Sequence, residues 1–257
     1  MGAMSLTTQL AKLSPPRLDR VFLRERLFAI FDQNLDKPLI WVASPAGAGK
    51  TLAVAKYTQS RQRPTIWFQA DEGDGDIASF FYYLGIAASQ FPAKDKKHLP
   101  VLSPEYQADG LNVFARNFFR ELFQRMPKNG ILVIDNYHVI PIEQIHLVIQ
   151  IAAEETPHGR HLLVISRNEP PLQLAKFQAS GRMALLGWDT IQLAEEETIG
   201  ISEIQGKHTL SATTLKLLHR ETQGWVAGLV LLLAHTEQSL ARWQETKSNE
   251  KIFEYFA

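Results

Sequence analysis

Residues 40 to 54 read IWVASPAGAGKTLAV, an apolar run that breaks into small residues and Gly-Lys-Thr before it turns apolar again. The first run predicts a buried strand and the second predicts the start of a helix. Between them, Gly47 and Gly49 allow successive backbone amides to turn inward around an anion, and a helix N-terminus adds its own unpaired amides. We therefore predict a phosphate-binding loop, in which Lys50 reaches the β- and γ-phosphates and the Thr51 hydroxyl holds magnesium.

The predicted loop is not a perfect match to the usual motif, because Ser44 stands where the first glycine is expected. The alternative is a glycine-rich turn from strand to helix with an incidental lysine. The residues predicted to contact the nucleotide in this stretch are Pro45, Ala46, Gly47, Ala48, Gly49, Lys50, Thr51 and Leu52.

Strand-like and helical patterns alternate along most of the chain. Apolar runs predict strands at 38–44, 64–69, 130–135, 161–166 and 184–193, and helical patterns fall at 24–34, 50–61, 76–91, 104–126 and 142–155. Several strands are apolar on both faces, as in a parallel sheet covered by helices. After residue 193 only helical patterns follow, two of them around Gly224, which predicts a small all-α domain after an α/β domain.

Composition excludes several classes of protein. The 257 residues contain 27 Lys and Arg, 27 Asp and Glu and no Cys, so no basic excess predicts nucleic-acid binding and no thiolate site or disulfide can form. The longest apolar run, residues 225–234, has about half the ~20 residues that a membrane helix requires. We therefore expect a cytoplasmic protein that does not contact a membrane.

A second apolar strand, GILVID, ends in Asp135, the position from which a carboxylate holds magnesium in such folds. Many P-loop ATPases carry a second acid next, which activates the attacking water, but this chain has Asn136. An amide cannot accept that proton, so fast hydrolysis is not expected. The acids Asp71, Glu72 and Asp74 are a possible substitute base, or they form an ordinary solvated turn.

Arg167 follows the fourth strand in VISRNEPP, at the sheet edge where ligands bind in open α/β folds. It could contact a γ-phosphate, or it could be a surface residue that begins a loop. The predicted catalytic set is Lys50, Asp135 and Arg167. His138 is left out as an ordinary loop residue, and the histidine spacing predicts no zinc site.

Several motifs occur together in an order that resembles a known family. They are FLRER, SPAGAGKT, ADEGDGD, LVIDNYH, VISRNEPP and RETQGWVAGL. In this order they resemble the nucleotide-binding region of the MalT-like regulators, LuxR-type activators among the signal-transduction ATPases called STAND proteins. The resemblance extends from about Lys12 to the end of the chain.

The resemblance implies more than the residue patterns do. Such regulators rest as closed, ADP-bound monomers, and inducer with ATP converts them to an open form that self-associates until slow hydrolysis returns them to rest. Position by position, it implies that Arg24 helps to hold the nucleotide and that Asp135 is linked to Mg²⁺. Gly224 and Trp225 match the turn that closes over the nucleotide, although Trp225 could equally be a core aromatic. Val226 replaces a common proline there.

The domain boundaries follow from the residue patterns together with this resemblance. We expect a leader or tag remnant at 1–11, a P-loop domain at 12–193 and a helical domain at 194–257 that stops where family members continue into a winged helix. The inducer and DNA would then be bound by downstream domains, DNA through a C-terminal helix-turn-helix. The alternative to a switch is a P-loop ATP hydrolase or phosphotransferase whose turnover is its function. A scaffold with a degenerate pocket is a third reading.

Overall fold

A computed structural model describes residues 10–91, 98–102, 110–141, 143–208 and 210–235. Its centre is a parallel sheet of five strands in the order β2-β3-β4-β1-β5. The strands are β1 Leu39–Ala43, β2 Thr65–Gln69, β3 Ile131–Asp135, β4 His161–Ser166 and β5 Met183–Leu186. Because β4 lies between β1 and β3, the residues that follow these three strands meet at one edge of the sheet.

The α-helices are numbered here in chain order. They are α1 Glu25–Gln33, α2 Lys50–Ser60, α3 Ile77–Ala88, α4 Leu111–Arg125, α5 Gln144–Glu155, α6 Ala175–Ala179, α7 Trp188–Ile191, α8 Glu195–Ile204, α9 Ala212–Thr222 and α10 Val226–His235.

Helices cover both faces of the sheet because the strands are apolar on both sides. Along β1, Leu39, Trp41 and Ala43 face one core, which includes phenylalanines of α3 and α4, whereas Ile40 and Val42 face a second core with α1 and α2. Strand residues alternate between faces, so burial of both sets requires a helical layer on each side. The fold is therefore the predicted helix-covered parallel sheet.

One strand prediction was too long. Residues 184–193 contain a strand only as far as Leu186, and Trp188–Ile191 form a helical turn. Gly187 is the N-cap of this helical turn, and Trp188 and Ile191 pack against the core as part of a helix rather than a strand. The predicted helix 104–126 is described from Leu111 onward; residues 103–109 lie outside the described part, as does Ile142 of the predicted helix 142–155.

The last described stretch is helical, as predicted. Helices α8, α9 and α10 share an apolar cluster of their own that includes Leu193, Leu218 and Leu229. Helix α9 ends at Gln223 and Gly224, both with positive φ, so the turn predicted around Gly224 is confirmed. Among the residues described, no helix is both long and apolar enough to cross a membrane.

Candidate functional site

The glycine-rich loop joins β1 to α2 at the carboxyl edge of the sheet. Gly47 and Gly49 have φ values of 71° and 80°, in the left-handed region that glycine adopts without a Cβ penalty. The first amides of α2, at Lys50, Thr51 and Leu52, have no partner within their own helix by the geometry of a helix N-terminus. The loop therefore has the backbone shape and the donors that an anion site requires.

Lys50 is buried against this loop. Its ammonium donates to the carbonyl oxygens of Pro45, at 2.9 Å, and of Ser44. Burial, and then the positive charge of Arg167, lower the pKa of Lys50 to about 8. An anion beside this ammonium would offset both effects, so the site favours negatively charged ligands.

Thr51 and Asp135 are brought together from α2 and β3. The Thr51 hydroxyl donates to Asp135 Oδ1 at 3.0 Å, and the same oxygen accepts from the Asn136 amide at 2.9 Å. Asp135 is fully buried, its Oδ2 has no partner among the described residues, and burial raises its pKa. A partnerless carboxylate oxygen beside a hydroxyl suits a hard cation such as Mg²⁺.

Few protein groups are available to hold that cation. In the part of the chain that the structure describes, no group of three or more His, Asp or Glu side chains is arranged to bind a metal ion. Mg²⁺ characteristically takes one or two carboxylates and completes its shell with phosphate oxygens and water. The pair Thr51 and Asp135 fits this mode of Mg²⁺ coordination.

Arg167 and His138 lie in the electrostatic surroundings of Lys50. Arg167 follows β4, and its backbone amide donates to His138 Nδ1 at 3.3 Å. Burial, then the charges of Arg167 and Lys50, lower the pKa of His138 to about 4, so its ring is neutral at physiological pH. Arg167 is thus close enough to Lys50 to affect its charge, and His138, omitted from the predicted catalytic set, lies in the same group.

The acidic turn after β2 is not an ordinary solvated turn. Asp74 is fully buried, accepts from Lys12 at 2.7 Å, and caps the Asp71 amide at 2.9 Å. Asp71 contacts the same Lys12 ammonium at 2.9 Å. Asp71 and Asp74 therefore hold the turn itself together, and Asp71 and Glu72 line a cavity of about 370 Å³ together with Asn136.

The turn between α9 and α10 contacts the glycine-rich loop directly. We call residues 223–227 the closing turn. Its Trp225 indole donates to the Ala46 carbonyl at 2.9 Å, and its Ala227 amide donates to the Gly47 carbonyl at 3.0 Å. A Cβ on Gly47 would lie 2.7 Å from the Ala227 Cβ, and one on Gly49 would lie 3.1 Å from Val226. The two glycines therefore also permit this close approach.

Gly224 anchors the closing turn at its other end. Its carbonyl accepts from the Leu193 amide at 2.9 Å, and a Cβ at Gly224 would lie 2.8 Å from the Leu193 carbonyl oxygen. Trp225 is buried, so it is at once a core aromatic and a contact of the loop. The structure thus brings Gly224 and Trp225 to the predicted site.

Arg24 lies in a different environment from the loop residues. One of its terminal nitrogens, Nη2, donates to the carbonyls of Ile191 and Gln192 and to the Glu197 carboxylate, at 2.7, 3.0 and 2.9 Å. Its Nε and Nη1 are buried with no partner in the described part. The described side-chain hydrogen bonds of Arg24 are therefore with residues 191–197, and its contact with a nucleotide stays a prediction.

Glu197 was not singled out by the sequence. It is buried, and its Oε2 also accepts from the Ala194 amide at 3.0 Å, which is the N-cap to N3 pairing of a capping box. The three-residue spacing was the available signal. It was obscured because Ala194 is not a usual capping residue and because three glutamates occur in a row.

Comparisons with known proteins identify relatives that match most of this chain. The HTH-type transcriptional regulator MalT of Cronobacter sakazakii is 27% identical over 230 residues, which cover 89% of this chain and 25% of that protein. MalT of Serratia proteamaculans is 28% identical over 238 residues, 92% of this chain and 26% of that protein. The chain thus spans about a quarter of the length of these curated relatives. No protein-family model matches it.

Solved structures establish the fold. A signal-transduction ATPase with numerous domains from Pyrococcus horikoshii, which carries a tetratricopeptide repeat sensor, superposes with a TM-score of 0.65 at 18% identity, over 93% of this chain and 34% of that one. A Walker-type ATPase of Pyrococcus abyssi superposes with a TM-score of 0.56 at 11% identity, over 89% and 71%. The chain is a homologue of the MalT transcriptional regulators and has the fold of a P-loop ATPase.

Proposed function

We propose that this chain is the ATP/ADP-binding switch module of a MalT-like transcriptional regulator, closed with ADP at rest and self-associating with ATP, with slow hydrolysis. One observation carries the proposal. The glycine-rich loop leads into α2, where Thr51 bonds to Asp135. The carbonyls of the same loop accept hydrogen bonds from Trp225 and Ala227. A nucleotide and the closing turn would therefore act on the same short piece of backbone.

The ligand roles follow from chemistry at the loop. The amides of Gly47 to Leu52 would hold the phosphates, Lys50 and Arg167 would contact the terminal phosphoryl oxygens, and Thr51 with Asp135 would hold Mg²⁺. When bound, the metal neutralises charge on the β- and γ-phosphates. Arg24 would contribute its two partnerless buried donors to the nucleotide.

Slow turnover is supported by the residues around Asn136. An amide at that position can orient water but cannot accept its proton. Asp71 and Asp74 are engaged with Lys12 and with the turn's own amides, so they are poor substitutes. This weighs against the second candidate, a hydrolase or phosphotransferase whose purpose is turnover.

The wider role rests on the relatives. We propose that the chain acts in the cytoplasm and self-associates in the ATP state. An inducer and DNA would be bound by other segments of a MalT-like regulator, DNA by a helix-turn-helix and neither by this segment. We place the boundary between its P-loop and helical domains at about residue 193, where the separate apolar cluster of α8 to α10 begins.

The first test is the nucleotide carried by the purified protein. The protein is denatured, the released nucleotide is identified by chromatography, and a second sample is followed with ATP and Mg²⁺ over hours. Near-stoichiometric ADP with little phosphate release is the expected result. An empty site with sustained turnover would support the hydrolase instead.

A pair of lysine variants separates specific binding from a degenerate pocket. Lys50→Ala removes the ammonium at the loop, whereas Lys56→Ala changes a lysine farther along α2 that bonds only Gln59 at 3.3 Å among its described contacts. ADP and ATP affinity should fall for Lys50→Ala and stay unchanged for Lys56→Ala. Equal affinities for both variants would contradict nucleotide binding at this loop.

A further inference from the structure

A buried ion pair joins the segment before α1 to the helical part of the chain. Arg24 precedes α1, Glu197 lies in the first turn of α8, and their charged groups are 2.9 Å apart. Each residue leaves only 5% of its surface exposed. Two charges are removed from water here, which is costly unless the geometry compensates.

The surroundings of the pair keep Glu197 ionised. Its Oε2 accepts from Arg24, from Arg26 at 3.2 Å and from the Ala194 amide at 3.0 Å. Burial alone would raise the pKa of Glu197, but the hydrogen bond and charge of Arg24, with smaller effects from Ala194 and Arg26, bring it below its ordinary value. The carboxylate is therefore a fixed negative charge to which the guanidinium of Arg24 is tied.

The pair is also linked to the phosphate loop through backbone contacts. Arg24 Nη2 donates to the Gln192 carbonyl, and the adjacent Leu193 amide donates to Gly224 of the closing turn at 2.9 Å. The next residue, Trp225, donates to the Ala46 carbonyl of the loop. A displacement of Arg24 relative to α8 would therefore be transmitted to the residues that contact the loop.

Arg24 still has two donors without partners in the described part, Nε and Nη1, and both are buried. Nη2 makes its described hydrogen bonds with Ile191, Gln192 and Glu197. Nη2, the nitrogen shared by both edges of the guanidinium, is thus committed to residues 191–197, whereas Nε and Nη1 keep donors for a further acceptor.

We propose that Glu197 is a positioning residue: it holds Arg24 in the orientation that receives the nucleotide and thereby couples nucleotide binding to the closing turn. This inference rests on the proposed nucleotide-binding function. Glu197 itself does not contact the ligand. Without its charge, Arg24 is no longer held against α8, and binding no longer stabilises the contact between the turn and the loop.

The simpler alternative is that Glu197 only caps α8. The chain offers a matched control, because Glu196 lies in the same first turn but is exposed. Glu197→Gln and Glu196→Gln remove the same charge from the same helix end, so the effect on the helix dipole is similar in both. Only the first removes the charge that faces Arg24.

The experiment uses the full chain and measures two quantities for each variant. ADP affinity is measured by calorimetry, and ADP-induced protection of residues 224–230 is measured by hydrogen exchange. For Glu197→Gln we expect a roughly tenfold loss of affinity, as for a hydrogen bond between charged groups, and loss of the ADP-induced protection. Glu196→Gln should resemble the unchanged protein. Arg24→Gln should lose at least as much affinity, and the double variant should lose no more than Arg24→Gln alone.

Each adverse outcome has a distinct meaning. If Glu197→Gln lowers the melting temperature but retains normal ADP affinity and protection, Glu197 is a helix cap and the inference is wrong. If Glu197→Gln does not fold, Glu197→Asp, which keeps the charge on a shorter side chain, must weaken ADP binding by several-fold, and unchanged affinity overturns the inference. Loss of the proposed function itself is recognised separately, as ADP binding that is insensitive to Lys50→Ala.

Discussion

Gly47→Ala should separate the closing turn from the glycine-rich loop. Gly47 has a φ of 71°, and an added Cβ would lie 2.7 Å from the Ala227 Cβ and 2.9 Å from the Trp225 indole nitrogen. Real Cβ atoms essentially never approach so closely, so either the loop or the turn must move. Two hydrogen bonds join the turn to the loop there. We expect the closing turn to move away from the loop and these two bonds to break.

The size of the effect follows from those two bonds. At a net ~1 kcal/mol each, their loss amounts to ~2 kcal/mol, which raises the open population of the closing turn roughly thirtyfold. An alanine in the left-handed region adds a further cost of ~1–2 kcal/mol that has nothing to do with the turn. Gly181→Ala isolates this second cost, because Gly181 has a φ of 69° and no atom within 4 Å of an added Cβ.

Hydrogen exchange of residues 224–230 and denaturant unfolding together measure both costs. Gly181→Ala should lower stability without changing exchange in the turn, whereas Gly47→Ala should do both. Adding Ala227→Gly to Gly47→Ala removes the opposing Cβ and should partly restore protection. If Gly47→Ala and Gly181→Ala give the same exchange and the same stability, the closing turn does not rest on the loop, and the reasoning is refuted.

Three further predictions concern the charged groups of the site. Burial and Arg167 lower the pKa of Lys50 to about 8, and an anion binds the protonated form. ADP affinity should therefore fall up to ~tenfold between about pH 7 and about pH 9. An ADP affinity that does not change with pH, measured by titration calorimetry, would contradict this. Because burial raises the pKa of Asp135, its negative charge destabilises the free protein at neutral pH. Asp135→Asn should therefore leave the stability against denaturant equal or ~1 kcal/mol higher, while Mg²⁺-dependent ATP affinity falls at least ~tenfold. Lower stability, or an unchanged dependence on Mg²⁺, would count against the assignment. Asn136→Asp should raise the single-turnover rate of ATP hydrolysis ~100-fold with little change in ATP affinity. Asn129→Asp, a control at another asparagine with left-handed backbone, should not change the rate. Equal rates in both variants would show that position 136 is not where the general base is missing.

The sequence was most informative where local chemistry decides the structure. The boundary between β1 and α2 was predicted correctly because Gly47, Gly49 and Lys50 determine the loop by themselves. The strand prediction failed beyond Leu186, because a short apolar run has the same composition whether it forms a strand or a buried helical turn.

Long-range pairing was not accessible from the sequence. The acidic run after β2 was expected to be a base or a solvated turn, yet Asp74 is buried by its contact with Lys12, far away along the chain. Glu197 was not singled out by the sequence, because its pairing with Arg24 depends on how α8 packs against the segment before α1. No local pattern encodes such partners.

The geometry of the peptide bond explains why one loop can contact both a ligand and the closing turn. A trans peptide unit is planar, so its N–H and C=O point in opposite directions. The carbonyls of Ala46 and Gly47 point toward Trp225 and Ala227, so the amides of the same two peptide units, which belong to Gly47 and Ala48, point to the opposite side. Hydrogen bonds at the two ends of a peptide unit polarise each other and strengthen together. An anion held by these amides therefore strengthens the bonds to the closing turn through the backbone alone, and a Cβ at Gly47, which displaces the turn, weakens anion binding by the same linkage.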